Sequence, residues 1–209
     1  MTVSLDPNNN VVEPVTEGQI PETSKTTPSS NSTSNVKLTE ATPADAPAMA
    51  SLGTKIFTES FGYSIPPGDL AAFLGVTYSA GAFETEMQSP QISTWTAKDS
   101  GGTLLGFVQL VRGIMDDSLG SEDPAELAHL HRLYVDTNAH GGGIGTKLIA
   151  VVEDKARAEG FKKLWLTVWE ENTKARRLYE RLGFVKVGKT HFVIGECVQW
   201  DWAMIKDLR

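Results

Sequence analysis

The residues best placed to do acid–base chemistry stand two apart on one predicted strand. They are His129 and His131 in Ala128-His129-Leu130-His131-Arg132-Leu133-Tyr134-Val135. Side chains two apart on a regular strand share a face. Histidine titrates near neutrality, so such a pair suits moving a proton at physiological pH. The plainer alternative is a pair of ordinary polar residues at a strand edge. Just downstream, His140-Gly141-Gly142-Gly143-Ile144-Gly145-Thr146 joins that strand to an amphipathic helix. Clustered glycines let a ligand approach the backbone and let several N–H groups point the same way. The start of the helix adds partial positive charge, and together these features suit a pyrophosphate. A dinucleotide G-x-G-x-x-G motif fails in both registers, because Thr146 and Leu148 occupy its last position. A P-loop fails as well, since the order here is Gly145-Thr146-Lys147. A glycine-rich turn without a ligand is the alternative. No metal is implied: the four histidines lack partners at ligand spacing apart from the 129/131 pair.

The elements that must position these residues follow from periodicity and punctuation. A strand is expected over 36–40, then a helix from Thr42 to about Glu59, with Thr42 as N-cap, Pro43 at the first position and Asp45 in the first turn. A second helical region runs from Pro67 to Met87 and breaks near Tyr78-Ser79-Ala80-Gly81. Ile92 to Lys98 and Thr103 to Val111 read as strands joined through Asp99-Ser100-Gly101-Gly102. An acidic loop follows from Asp116 to Glu126, and then the histidine strand from Ala128 to Val135. Ile144 to Glu159 is a helix with Ile144, Leu148, Ile149, Val152 and Ala156 on one stripe, stopped by Gly160. Lys163 to Trp169 is a strand and Thr173 to Leu182 a helix ended by Gly183. Phe184 to Ile194 and Cys197 to Ile205 close the chain as two strands. The order implies a mixed α/β sheet.

Composition narrows the class. The chain has 209 residues, a net charge of −7 and one cysteine, Cys197. One cysteine excludes an internal disulfide framework and suits a reducing compartment. The acidic balance argues against a nucleic-acid binder, which needs a basic stripe. No apolar run reaches membrane-spanning length, and no basic-then-apolar start marks a signal peptide. A cytoplasmic location is expected, with a nuclear one left open. Residues 1–35 hold no aromatic residue and consist largely of Ser, Thr, Asn, Pro, Glu and Val. Such a stretch buries too little apolar surface to offset its ordering entropy, so a disordered polar tail is expected over 1–35 and a folded domain over 36–209.

His140-Gly141-Gly142-Gly143-Ile144-Gly145 resembles the R/Q-x-x-G-x-G/A signature of the GNAT N-acetyltransferases. The second half of that family's pattern is also similar: Leu164-Trp165-Leu166-Thr167-Val168-Trp169-Glu170-Glu171-Asn172, then Ala175, then Leu178-Tyr179-Glu180-Arg181-Leu182-Gly183-Phe184. The opening Leu38-Thr39-Glu40-Ala41-Thr42-Pro43-Ala44-Asp45 looks like its first strand and helix, so the likeness covers about Val36 to Leu208. It implies the GNAT acyl-CoA N-acyltransferase fold, a mixed sheet of about seven strands flanked by about four helices. It implies an enzyme that moves an acetyl group from acetyl-CoA to an amine by direct attack. In that reading the strand 128–135 splays from its parallel neighbour 163–169. Leu133, Tyr134 and Val135 then hold the acetyl and pantetheine portions. His140, Gly141, Gly142, Gly143, Ile144, Gly145 and Thr146 wrap the pyrophosphate, and Asn172 bonds the pantetheine arm. Lys174 and Arg181 are weaker contacts to the nucleotide end. Tyr179 lies beside the cofactor sulfur, as proton donor to the departing thiolate. Where the family usually has Arg or Gln, this chain has His140, which supplies less positive charge.

The acceptor is less defined. The first helices, the core strand and the last strands are similar to PaiA-type spermidine/spermine acetyltransferases. The histidine pair looks like that of arylalkylamine N-acetyltransferases, where two strand histidines pass the amine's proton outward. PaiA-type relatives tend to carry acidic residues at those two positions. Asp116, Asp117, Glu122, Asp123 and Glu126 would attract a polycation if their loop faced the substrate cleft, and would otherwise be a solvated acidic loop. Trp165, Thr167 and Trp169 share one strand face that, if accessible, suits an aromatic amine. The expected partner is a small-molecule amine, not nucleic acid or membrane, and a homodimer stays open. A protein or peptide acetyltransferase and a non-catalytic acyl-CoA-binding module are the other readings.

Overall fold

The computed structural model describes residues 36–209, and the tail expected over 1–35 lies outside the described residues. The chain runs β1 (Lys37–Glu40), α1 (Ala46–Phe61), α2 (Pro67–Thr77), α3 (Ala80–Met87), β2 (Ile92–Lys98), β3 (Leu104–Arg112), β4 (Leu127–Val135), α4 (Ile144–Ala158), β5 (Lys163–Trp169), α5 (Thr173–Arg181), β6 (Val185–Ile194) and β7 (Cys197–Asp207). Every expected element forms, with boundaries moved by a few residues. The break expected near 78–81 makes two helices, α2 and α3, so five helices flank the sheet. The first turn of the first helix is a separate 3-10 turn, Pro43–Asp45, where Thr42 and Asp45 make a reciprocal capping box.

The seven strands lie in the order β1-β2-β3-β4-β5-β7-β6. Only the β4–β5 pair is parallel; the others are antiparallel. A parallel pair needs a crossover, and α4 provides it. On that side of the sheet, Ile144, Leu148, Ile149, Val152 and Ala156 pack with Ala175 and Tyr179 of α5 onto Val108, Leu110, Leu130, Leu164, Leu166 and Val168. The stripe on α4 read from the sequence is the one buried. On the other side, α1 contributes Met49, Leu52, Ile56, Phe57 and Phe61 to a core with Phe83, Phe107, Tyr134 and Phe192. Among the described residues no helix is long and apolar enough to cross a membrane.

The acidic loop folds down rather than standing free. Leu119 packs with Leu127, Trp165, Ala203 and Ile205. Asp116 caps a 3-10 turn and accepts from the Thr190 hydroxyl at 3.1 Å. Glu122 pairs with Lys163, and Asp123 caps the turn before β4. Three of the five carboxylates named above therefore have structural partners, while Asp117, Asp123 and Glu126 stay exposed. The loop crosses β6 at Gly188, where an added Cβ would collide with the Ser118 carbonyl oxygen. Backbone cannot give way as a flexible side chain can. Gly188→Ala is expected to destabilise the fold by about 1–3 kcal/mol. A urea unfolding midpoint equal to that of the parent would contradict this contact.

Candidate active site

The site begins where β4 changes partners. Against β5 the ladder holds for three pairs only: Leu127↔Lys163, Ala128↔Leu164 and His129↔Trp165. β5 goes on bonding β7 as far as Trp169↔Asp201, while β4 goes on bonding β3 as far as Val135↔Gly106. The two parallel strands thus diverge after His129, as the sequence reading expects. Between β4 and β3 the register slips: Val108↔Leu133 is followed by Leu110↔Leu130, so His131 and Arg132 stand against Gln109 alone. That is a β-bulge on β4.

At the end of the splayed strand lies a cavity of about 300 Å³. Of the residues read from the sequence as cofactor contacts, Leu133, Val135, His140, Gly141, Gly143, Ile144, Gly145, Thr146, Lys174 and Arg181 line it, and Gly142 does not. Ala139 and Leu178 line it as well, and neither is among those contacts. Gly143 caps α4 with φ 72°, a left-handed conformation in which other residues are strained. Added Cβ atoms at Gly141 and Gly143 would meet nothing within 4 Å, so the cradle is open on its ligand side. Lys174 and Arg181 bring positive charge to the same walls. Helix start, glycine cradle and cations fit a diphosphate with an apolar arm running up the gap.

His140 sits differently from a direct cationic contact. Its Nε2 lies 3.1 Å from the Val135 carbonyl oxygen and its Nδ1 lies 3.2 Å from Lys174 Nζ. An ammonium only donates, so Nδ1 accepts from Lys174 and Nε2–H donates to the carbonyl. The ring ties the end of β4 to α5 and holds the lysine at the cavity.

Three expected contacts are placed elsewhere. The Tyr134 side chain points to the opposite face, into the α1–α3 core, where its hydroxyl bonds that of Tyr78, and its backbone pairs with Phe107 of β3. Asn172 caps α5, its Oδ1 accepting from Ala175 N–H at 3.0 Å, so its carboxamide oxygen is committed. Tyr179 is fully buried in the main core with its ring edge-on to Phe184 at 5.6 Å, next to Leu178 of the cavity wall.

The histidines do share a face, with ring centroids 5.2 Å apart. They lie on a central strand, not at an edge, and both are fully buried. His129 stacks on Trp165 at 3.8 Å and 11°. Neither ring has a hydrogen-bond partner among the described residues, and neither does Trp165 Nε1. Burial pushes the His129 pKa down from 6.5 to about 3. His131 is held well below 6.5, first by burial and then by the neighbouring Arg132 guanidinium. Sequence spacing gave the shared face but not the burial. At the far end of β5, the half-buried Trp169 packs against Phe61 at 5.2 Å and faces the exposed Tyr63 at 6.5 Å.

Comparison with known proteins agrees with this geometry. A model of the acetyltransferase (GNAT) family matches residues 56–184. An uncharacterised N-acetyltransferase from Lactobacillus delbrueckii is 27% identical over 173 residues, covering 83% of this chain and 98% of the relative. The spermine/spermidine N(1)-acetyltransferase of Bacillus subtilis is 34% identical over 64 residues, 30% of this chain and 42% of that protein. Among solved structures, the PaiA N-acetyltransferase of Thermoplasma acidophilum in complex with coenzyme A matches with a TM-score of 0.64 at 18% identity, covering 83% of this chain and 99% of that one.

The buried histidines carry a stability consequence. In the unfolded chain His129 binds a proton below pH 6.5, whereas in the folded chain it does so only near 3. The unfolded state therefore binds more protons across that window, and stability falls as pH falls through it. The slope is about 1.4 kcal/mol per pH unit, or about 2 kcal/mol for His129 at pH 5, and His131 adds in the same direction. Urea midpoints at about pH 7 and 5 should separate less for a His129→Phe/His131→Leu variant than for the parent. Equal separations would contradict the burial of neutral rings.

Proposed function

The chain belongs to the GNAT acetyltransferase family and is an N-acetyltransferase, and from that premise we propose that its acceptor is the primary amine of a small molecule, polyamine-like or arylalkylamine-like. The observation that carries the acetyl-CoA half of the reading is the cavity at the diverging end of β4, with its glycine cradle and two cations. Bound acetyl-CoA would supply the thioester, whose carbonyl carbon gains a bond to nitrogen as its bond to sulfur breaks. His140 to Thr146 would hold the pyrophosphate, with Lys174 and Arg181 adding charge. Leu133 and Val135 would flank the arm, and backbone amides freed from β5 would polarise the carbonyl.

Tyr179 would return a proton to the departing sulfur. The likeness to the family pattern supports this role, while the ring itself lies in the core against Phe184 and outside the cavity lining. His131 and His129 would take the amine's proton. A neutral imidazole accepts at one nitrogen and donates from the other, so the pair would relay the proton rather than store it.

Two observations bear on the acceptor. The Bacillus spermine/spermidine enzyme and the spermidine/spermine N-acetyltransferase SpeG of Vibrio cholerae support the polyamine end. The Phe61–Trp169–Tyr63 corner at the far end of β5 supports the arylalkylamine end, since rings of this kind hold aromatic and cationic groups. Thiol release from acetyl-CoA with spermidine, tryptamine, an amino sugar and a lysine peptide in parallel separates these readings. Saturable turnover on spermidine or tryptamine is expected; turnover on the peptide alone would make this a protein acetyltransferase. Tyr179→Phe should lower kcat by about a hundredfold with little change in acetyl-CoA affinity. Parallel losses in both would mean that the tyrosine only packs.

A further inference from the structure

We propose that Glu86 of α3 is a positioning residue for acetyl transfer, acting through Arg132 to hold the bulge that decides which face of β4 lines the cofactor cavity. The proposal rests on the family's use of acetyl-CoA at the cavity described above. Regular alternation along β4 would put Leu133 and Val135 on the same side as His129 and His131. They are on the other side: Leu133 lies in the α4–α5 core and lines the cavity, while Tyr134 turns to the α1–α3 core. The extra residue of the bulge makes that exchange.

Both sides of the bulge are tied to one carboxylate. Arg132 Nη1 donates to the two Glu86 oxygens at 2.9 and 2.7 Å and to Gln109 Oε1 at 3.3 Å. Gln109, the single residue opposite the bulge, donates from Nε2 to Glu86 at 2.8 Å. The guanidinium lies over the Tyr78 and Phe83 rings, 5.3 and 5.1 Å from their centroids. Side-chain exposure is 3% for Arg132 and 8% for Glu86. Arg132 Nε has no partner among the described residues. A buried ion pair with an unsatisfied donor is a poor way to gain stability, because apolar residues of similar volume often do as well. Apolar residues cannot, however, fix a two-against-one register. A slip of one residue would bring Tyr134 to the cavity in place of Leu133 and Val135.

The test compares the parent with Glu86→Leu/Arg132→Met and with Glu86→Gln. The double variant is expected to fold with a melting temperature near the parent's. Its acetyl-CoA Kd should rise about tenfold or more. Amides of 130–135 should exchange hydrogen faster in the ligand-free protein. A double variant with Kd within about twofold of the parent and unchanged exchange overturns the proposal. Should the double variant not fold, Glu86→Gln decides: a raised Kd with unchanged far-UV dichroism supports the clamp, and an unchanged Kd overturns it. If the parent itself does not bind acetyl-CoA, the cofactor reading fails, and the exchange of 130–135 still decides the clamp.

Discussion

A strand in the middle of a sheet normally bonds its neighbours on both sides along its whole length; β4 does so only as far as His129. Beyond that point its backbone faces a gap, and the rest of the domain is arranged around this one interruption. β3 supports the free segment from one side, with Phe107↔Tyr134 and Gly106↔Val135. β7 keeps β5 straight on the other, so the gap cannot close. The glycine turn then starts α4 at the open end, where the partial positive charge of a helix start is most useful. An unpaired backbone edge inside a protein is costly unless something occupies it, and a ligand that bonds along it removes that cost.

The charge at the mouth is organised by the same segment. Val135 is the last residue of β4, and its carbonyl receives the His140 ring. That contact orients Nδ1 towards Lys174 on α5. A histidine in place of a permanently charged residue therefore leaves the mouth cationic. The charge is delivered from another helix and held by a hydrogen bond. Lys55 and Asp136 pair across α1 and the end of β4 and fix the same corner from behind.

Much of this was legible in the sequence because the relevant signals are local. The glycine run, the capping residues around Thr42 and the stripe on α4 each depend on neighbours within about two turns, and each element formed where expected. The divergence of β4 from β5 came from family likeness rather than from periodicity. What the sequence concealed depends on long-range contact. Arg132 and Glu86 are 46 positions apart, and nothing in either neighbourhood marks them as partners. The bulge breaks strand alternation without a glycine or proline to announce it. The two readings of the acidic loop could not be separated from sequence because Thr190 and Lys163, which engage it, lie far along the chain. Asn172 and Tyr134 were assigned by motif position, and only packing shows which atoms remain turned to the gap.

Unsatisfied buried polar atoms are few in native proteins, and their placement carries information. Here five of them, on His129, His131 and Trp165, gather at the point where β4 and β5 part, and Arg132 Nε lies one residue further on. A fold selected for stability alone would fill these positions with apolar side chains, as it does at Leu130 and Leu166 on the opposite face. Sequences break local rules where function requires it, and the loss is absorbed elsewhere. The apolar core under α4 and α5 is the largest of the apolar clusters among the described residues and holds both strands up to their divergence. That core is what lets the hinge of the gap keep imidazoles, an indole N–H and a buried ion pair in a place where stability alone would favour none of them.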